Sequence, residues 1–340
     1  MTRRTKTTHG GQRPRFAFTI IELLAVISII GLLVAIVVPA LSRGRLHAQS
    51  TGCLSNLREL SRGLQIYADE NDGALVASRQ FERGTEEENL YDVGNGMKNR
   101  PRWMATIGVE IGLYGFNTPD PNDSRQDYDH KAYACPTEPT WVDERNHGYG
   151  YNYQFLGNGR QLAETGRYRN FPVLQSQITS PSGTVIAGDS MGTAAAFAAN
   201  ARAGYSNNGT ELATKGNHGY TLDPPRLTDR SDRGPGDAPN DPRSGVDPRH
   251  GKKANVVFFD SHAEGKTPIS LGYRLGEGGC FVMSDVNESC FVGSGGGSVG
   301  SFGHAGSGAA PEASAQQNLD PPTNRFFSGN GRDQDPPRVY

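Results

Sequence analysis

A run of apolar residues from Ile20 to Val38, broken only by Glu22, Ser28 and Gly31, constrains this chain more than any other stretch. As a helix it is about long enough to cross a bilayer. A carboxylate within such a helix costs about 2.5–3.5 kcal/mol at the centre and less near an end. Glu22 therefore calls for a compensating positive charge, and the simplest source is a neighbouring subunit. Residues 1–17 hold Arg3, Arg4, Lys6, Arg13 and Arg15 without one acidic residue, whereas only Arg43 and Arg45 follow the span closely. That asymmetry predicts a cytoplasmic leader and an exported remainder. A secretory signal cut after Val38-Pro39-Ala40 is one alternative, although the apolar run exceeds the usual 7–15 residues. A plain anchor is another, and it leaves Glu22 without a task.

Past Ser42 the apolar positions Cys53, Leu57, Leu60, Leu64 and Tyr67 repeat at four, three, four and three. They form one stripe of an amphipathic helix, which Asn71-Asp72-Gly73 ends with turn chemistry. Taken from Thr19 to Asp69, the helix measures roughly 76 Å at 1.5 Å per residue. Its first half belongs in lipid, and its second half lays the stripe against a globular head. Three short runs predict strands: Tyr149–Phe155, Thr184–Ala187 and Asn255–Phe259. Packed on the stripe as an antiparallel sheet, they make an α+β head. Residues 223–249 are crowded with Pro, Asp, Arg and Gly, as an irregular loop would be. The Gly, Ser and Pro content from residue 293 onward predicts a mobile tail, in which Phe326-Phe327 is the only large apolar pair. The expected organisation is a leader at 1–17, a helix at 18–69 with its membrane part at 20–41, a head at 70–275 and a tail at 276–340.

Phe18-Thr19-Ile20-Ile21-Glu22 after a basic leader resembles the N-terminus of type IV prepilins and type II secretion pseudopilins. That resemblance implies cleavage between Ala17 and Phe18 by a prepilin peptidase, where the family usually has Gly before the cut, and N-methylation of Phe18 by the same enzyme. Glu22 becomes the fifth mature residue, which in the family pairs with the N-terminal amine of the adjoining subunit. Pro39 falls where many pilins carry a helix-kinking proline. Implied partners are the peptidase, other pilin or pseudopilin subunits and an inner-membrane assembly platform. The rest of the chain resembles a pilin-like family of planctomycete-type bacteria marked by His, nine residues, then Asp-Gly. The matching segments are Cys53–Leu60, Tyr67–Gly73, Cys135-Pro136, Tyr149–Asn152, Ser180–Ser182, Ala187–Ser190, Arg249–Gly251 and Ala254–His262. His250 and Asp260 carry the signature, with Ser261 in place of its Gly, which weakens the tight turn expected there.

The chain also carries motifs that point to other chemistry. Gly188-Asp189-Ser190-Met191-Gly192 matches the nucleophile elbow of α/β-hydrolases, and Asp260 and His262 follow in the right order. The runner-up is accordingly an anchored, exported serine hydrolase using Ser190. Against it, no Gly-rich oxyanion motif lies upstream, and alternating strand and helix units are missing. Asp69–Gly73 resembles a calcium loop, but its Gly comes one place early and Gln80 stands where Glu is required. Calcium elsewhere in the head stays open, with no ligand set to name. Four cysteines allow three pairings, which the sequence cannot choose between, and Cys280 with Cys290 makes the easiest local bridge. No clustered Cys/His spacing points to a metal. His250 and His262 flank one strand and could bind metal, but hydrogen bonds within turns account for them more simply. A net charge of −2 gives no long-range attraction for nucleic acid.

Overall fold

In the computed structural model, Thr19 opens the first helix with a reciprocal cap. Its hydroxyl accepts the Glu22 N–H at 3.2 Å, while the Glu22 carboxylate accepts the Thr19 N–H at 2.9 Å and the Thr19 hydroxyl at 2.8 Å. This is a capping box with Glu22 at its third helical position. Helix α1 then runs without interruption over Ile20–Glu70, 51 residues. Pro39 lies inside it and has no N–H to offer the Ala35 carbonyl. Large apolar side chains from Ile20 to Leu46 are exposed, so the helix is long and apolar enough to cross a membrane. The helix stops where Asp72 and Gly73 take positive φ, at 54° and 79°, and the Gly73 N–H reaches the Ala68 carbonyl at 2.7 Å.

The structure describes residues 19–80, 85, 87–123, 126, 128–137, 148–157, 159–161, 168–170, 173–199, 202, 219–225, 227, 244–276, 279–281 and 323–334. It divides into two compact units at His47, so the second half of α1 is part of the head unit rather than a domain of its own. In that unit α1 buries Cys53, Leu57, Leu60, Ser61, Gly63, Leu64 and Ala68. The predicted stripe is buried from Cys53 to Leu64, but Tyr67 is only partly buried and Ala68 takes its place, and small residues widen the stripe so that neighbours approach. A Cβ on Gly63 would stand 2.9 Å from the Ile107 carbonyl oxygen.

The remaining elements are short. Strands β1 (Leu90–Asp92) and β2 (Met97–Asn99) form a hairpin, followed by helix α2 (Trp103–Gly108). Strand β3 (Tyr149–Tyr151) comes next, then a hairpin of β4 (Gly159–Gln161) and β5 (Tyr168–Asn170). Strands β6 (Val185–Asp189), β7 (Ala254–Phe258) and β8 (Ala263–Lys266) complete a four-stranded antiparallel sheet in the order β3-β6-β7-β8. Every residue of β3, β6 and β7 is buried, which explains why the β6 and β7 runs read as apolar blocks, whereas the alternation of aromatic and polar residues in Tyr149–Phe155 does not mark an exposed face. Tyr149–Phe155 is strand only to Tyr151, because Tyr153–Gly157 coils into a wide helical turn. Trp103 stacks on Tyr151 with ring centroids 5.2 Å apart and joins α2 to the same core.

Two expectations need correction. Ser261, where the resembling family has Gly, still makes the tight turn between β7 and β8, with φ at 68°. Its hydroxyl meets Ser61 and Gln65 of α1, each at 2.9 Å, and these bonds help to hold a conformation that is costly for a residue with a Cβ. Residues 323–334, assigned to the tail by composition, instead close over the sheet. Phe327 is fully buried, and the Phe326 carbonyl accepts the Val185 N–H at 2.6 Å. The cause is local: Asp333 accepts the N–H groups of Asn324 and Arg325, at 2.8 and 3.0 Å, and so folds the segment back on itself.

Candidate metal centre

Four side chains from four elements converge beneath the sheet. Cys53 comes from the buried stripe of α1, and Cys135 follows a single helical turn at Lys131–Tyr133. Asp189 ends β6. His250 stands in the turn before β7, which Gly251 and Lys252 build with positive φ of 62° and 69°. One ligand-type atom from each lies within 4.8 Å of all the others. Cys53 Sγ is 3.2 Å from Asp189 Oδ1, and His250 Nε2 is 3.2 Å from Cys135 Sγ and 3.3 Å from Asp189 Oδ2. The side chains of His250 and Asp189 are 3% and 0% exposed, so water does not screen them.

An outer layer orients these groups. The Asn255 N–H donates to Asp189 Oδ2 at 2.7 Å, and the Thr137 hydroxyl lies 3.3 Å from His250 Nδ1. The Arg249 guanidinium donates to the Ser190 carbonyl at 2.8 Å and pairs with Asp247 at 2.8 Å. The protonation pattern follows from this crowding. Burial drives the Cys53 thiol far above its ordinary value, and Cys135 and Asp189 add to the effect. Cys135 falls to about 5, because a hydrogen bond from Cys53, together with His250 and Arg249, outweighs its own burial. Burial opposes charge on His250, but its bonds to Asp189 and Cys135 carry it up to about 9. Folding thus favours the ionised forms of Cys135 and His250 and the neutral thiol of Cys53.

The other residues singled out by sequence go elsewhere. Ala17 and Phe18 lie outside the described residues. Glu22 caps its own helix, and Pro39 lies within it. The Ser190 hydroxyl is buried, donating to the Thr221 carbonyl at 3.0 Å and accepting the Gly192 N–H at 3.1 Å. Asp260 and His262 are exposed, bonded to each other at 2.5 Å, with the His262 ring stacked on Phe258. Serine, histidine and aspartate are therefore not assembled into a triad. His250 is held by Cys135, Thr137 and Asp189 rather than by its turn alone, and His262 plays no part in the cluster. Cys280 is disulfide-bonded, and its expected partner Cys290 lies outside the described residues, whereas Cys53 and Cys135 are not bridged. Asp69 accepts a hydrogen bond from Gln175 at 3.0 Å, in keeping with a helix stop.

The expectation of no metal-ligand set rested on local spacing, and the cluster escapes that test because each member is more than fifty residues from the next. The available signal was that all four stand in the short motifs quoted for the family resemblance. No protein-family model matches the chain, and no curated protein or solved structure matches it.

Proposed function

We propose that this chain is a pilin-like structural subunit: made with a basic leader, cut between Ala17 and Phe18, methylated on Phe18 and held in the cytoplasmic membrane with its head exported. From there it enters a pseudopilus or pilus-like filament, with the prepilin peptidase, an assembly platform and other subunits as partners. One observation carries this reading. A single helix offers bare apolar side chains over its first half and buries one stripe in an α+β head over its second. An exposed apolar helix needs lipid or the helices of other subunits around it, and a filament core supplies the second. The Glu22 carboxylate can meet a cation there, since a buried charge is tolerable only when paired.

Mass spectrometry of the mature N-terminus tests maturation. Methyl-Phe18 followed by Thr19 is expected, and Leu41 as the first residue would establish a cleaved secretory signal instead. Assembly is tested by crosslinking subunits in membranes for wild type, Glu22→Ala and Glu22→Gln. Gln preserves the capping box with Thr19 but removes the charge. Crosslinking should fall in both variants. Loss in the alanine variant alone would mean that Glu22 serves only its own helix.

A further inference from the structure

The cluster of Cys53, Cys135, Asp189 and His250 does not depend on filament entry, and we propose that it is a structural zinc site joining α1 to the sheet of the head. The donor set is two sulfurs, one imidazole nitrogen and one carboxylate oxygen. That mixture suits a borderline-soft ion such as Zn²⁺ and not calcium or magnesium, which take oxygen ligands. Ideal tetrahedral zinc with these donors places them about 3.4–3.8 Å from one another, by simple geometry from the usual bond lengths. The observed separations of 3.2 and 3.3 Å, all within a 4.8 Å limit, need shifts of only a few tenths of an ångström to about one.

The surroundings fit the same ion. His250 offers Nε2 to the cluster, and the Thr137 hydroxyl lies beside the ring, 3.3 Å from Nδ1 and 3.4 Å from Nε2. The Asn255 amide fixes one carboxylate oxygen of Asp189. Such outer partners are the usual companions of metal ligands. Zn²⁺ with two thiolates, one carboxylate and a neutral imidazole carries a net charge of −1, and Arg249, next to His250 in the chain, is held by the carbonyl of Ser190, the residue that follows Asp189. Four protein donors in a buried pocket leave no position for a substrate, so the role is structural and not catalytic. The ion would hold together four segments that are remote in sequence, and would keep two thiols from oxidation.

The test uses the full chain, purified in detergent without chelators, with metal content measured by mass spectrometry. About one zinc per chain is expected. Asp189→Asn, which keeps the acceptor for Asn255, and His250→Gln should each lower zinc affinity tenfold or more. If either variant fails to fold, wild-type protein exchanged into cobalt decides: thiolate-to-cobalt charge-transfer bands with intense tetrahedral d–d bands support the site. Three results would overturn it: a Cys53–Cys135 disulfide in peptide maps of the isolated protein, a cobalt form without thiolate bands, or unchanged zinc content in folded Asp189→Asn and His250→Gln.

Discussion

Phe327→Ala asks whether the C-terminal segment belongs to the core. The ring is fully buried and sits edge-on to Tyr273, with centroids 5.9 Å apart and planes at 82°. Burying such a side chain contributes about 1.5–3 kcal/mol, and the aromatic pair adds roughly 0.5–1.5 kcal/mol. With the void left behind, the expected loss is about 3–5 kcal/mol. The main-chain anchors stay in place, because the Phe327 carbonyl still accepts Asn152 Nδ2 and the Gly329 carbonyl still accepts the N–H groups of Thr179 and Ser180. The loss is therefore one of packing. At roughly 2–4 °C per kcal/mol for a domain of this size, the melting temperature should fall by on the order of 10 °C. Thermal melts of the full chain in detergent, followed by circular dichroism, measure it. Phe326→Ala is the control, since that ring is only partly buried beneath Arg325, and it should cost about 1 kcal/mol or less. A Phe327→Ala protein melting within about 2 °C of wild type would refute the docking of residues 323–334.

Other outcomes follow from single contacts. Ser190→Ala leaves the buried Thr221 carbonyl and Gly192 amide without their hydroxyl partner. It should cost about 1–3 kcal/mol in denaturant unfolding. Wild-type protein should not react with a fluorophosphonate, and stoichiometric labelling that Ser190→Ala abolishes would restore the hydrolase reading. The Glu110 carboxyl is raised by partial burial and then by sharing a hydrogen bond and charge with Glu70. Folding therefore disfavours its ionised form, a penalty fully present above the folded value and gone below the ordinary carboxylate range. Glu110→Gln should raise the melting temperature near pH 7 and lose that advantage near pH 4. An equal gain at both values would assign the effect to packing.

How far the sequence could be read depended on the range of each interaction. The stripe from Cys53 to Leu64 was legible because helix packing repeats within a few residues. Thr184–Ala187 and Asn255–Phe259 were legible as dense apolar runs bounded by turn residues, although the first strand runs on through Gly188 and Asp189, whose residue types suggest a turn. Strand β8, Ala263–Lys266, was not, since an edge strand with only Ala263 buried carries no apolar signature. Phe326-Phe327 is the only large apolar pair in the tail, yet Gly- and Pro-rich flanks hid a segment whose order comes from Asp333 and from the sheet. The Cys53, Cys135, Asp189 and His250 cluster was illegible for the opposite reason. Its members owe their proximity entirely to tertiary folding, and no spacing rule reaches across gaps of that length.

The hydrogen bonds between α1 and the sheet also have a mechanical side. Asn255 Nδ2 holds the Ser50 carbonyl at 3.1 Å, Arg58 reaches the Ala263 carbonyl at 2.9 Å, Ser61 meets Ser261 at 2.9 Å, and Gln65 reaches the Phe259 carbonyl at 2.9 Å. From Ser50 to Gln65 these ties are spread over about 22 Å of helix. Tension along the helix axis loads them together in shear rather than one after another. Gly63 adds a mechanical stop: its backbone lies so close to the Ile107 carbonyl that a sliding helix would bring larger neighbours into the space of that oxygen. A pull along this stretch of α1 would thus reach the sheet as one collective load, resisted as by a riveted plate rather than a zipper.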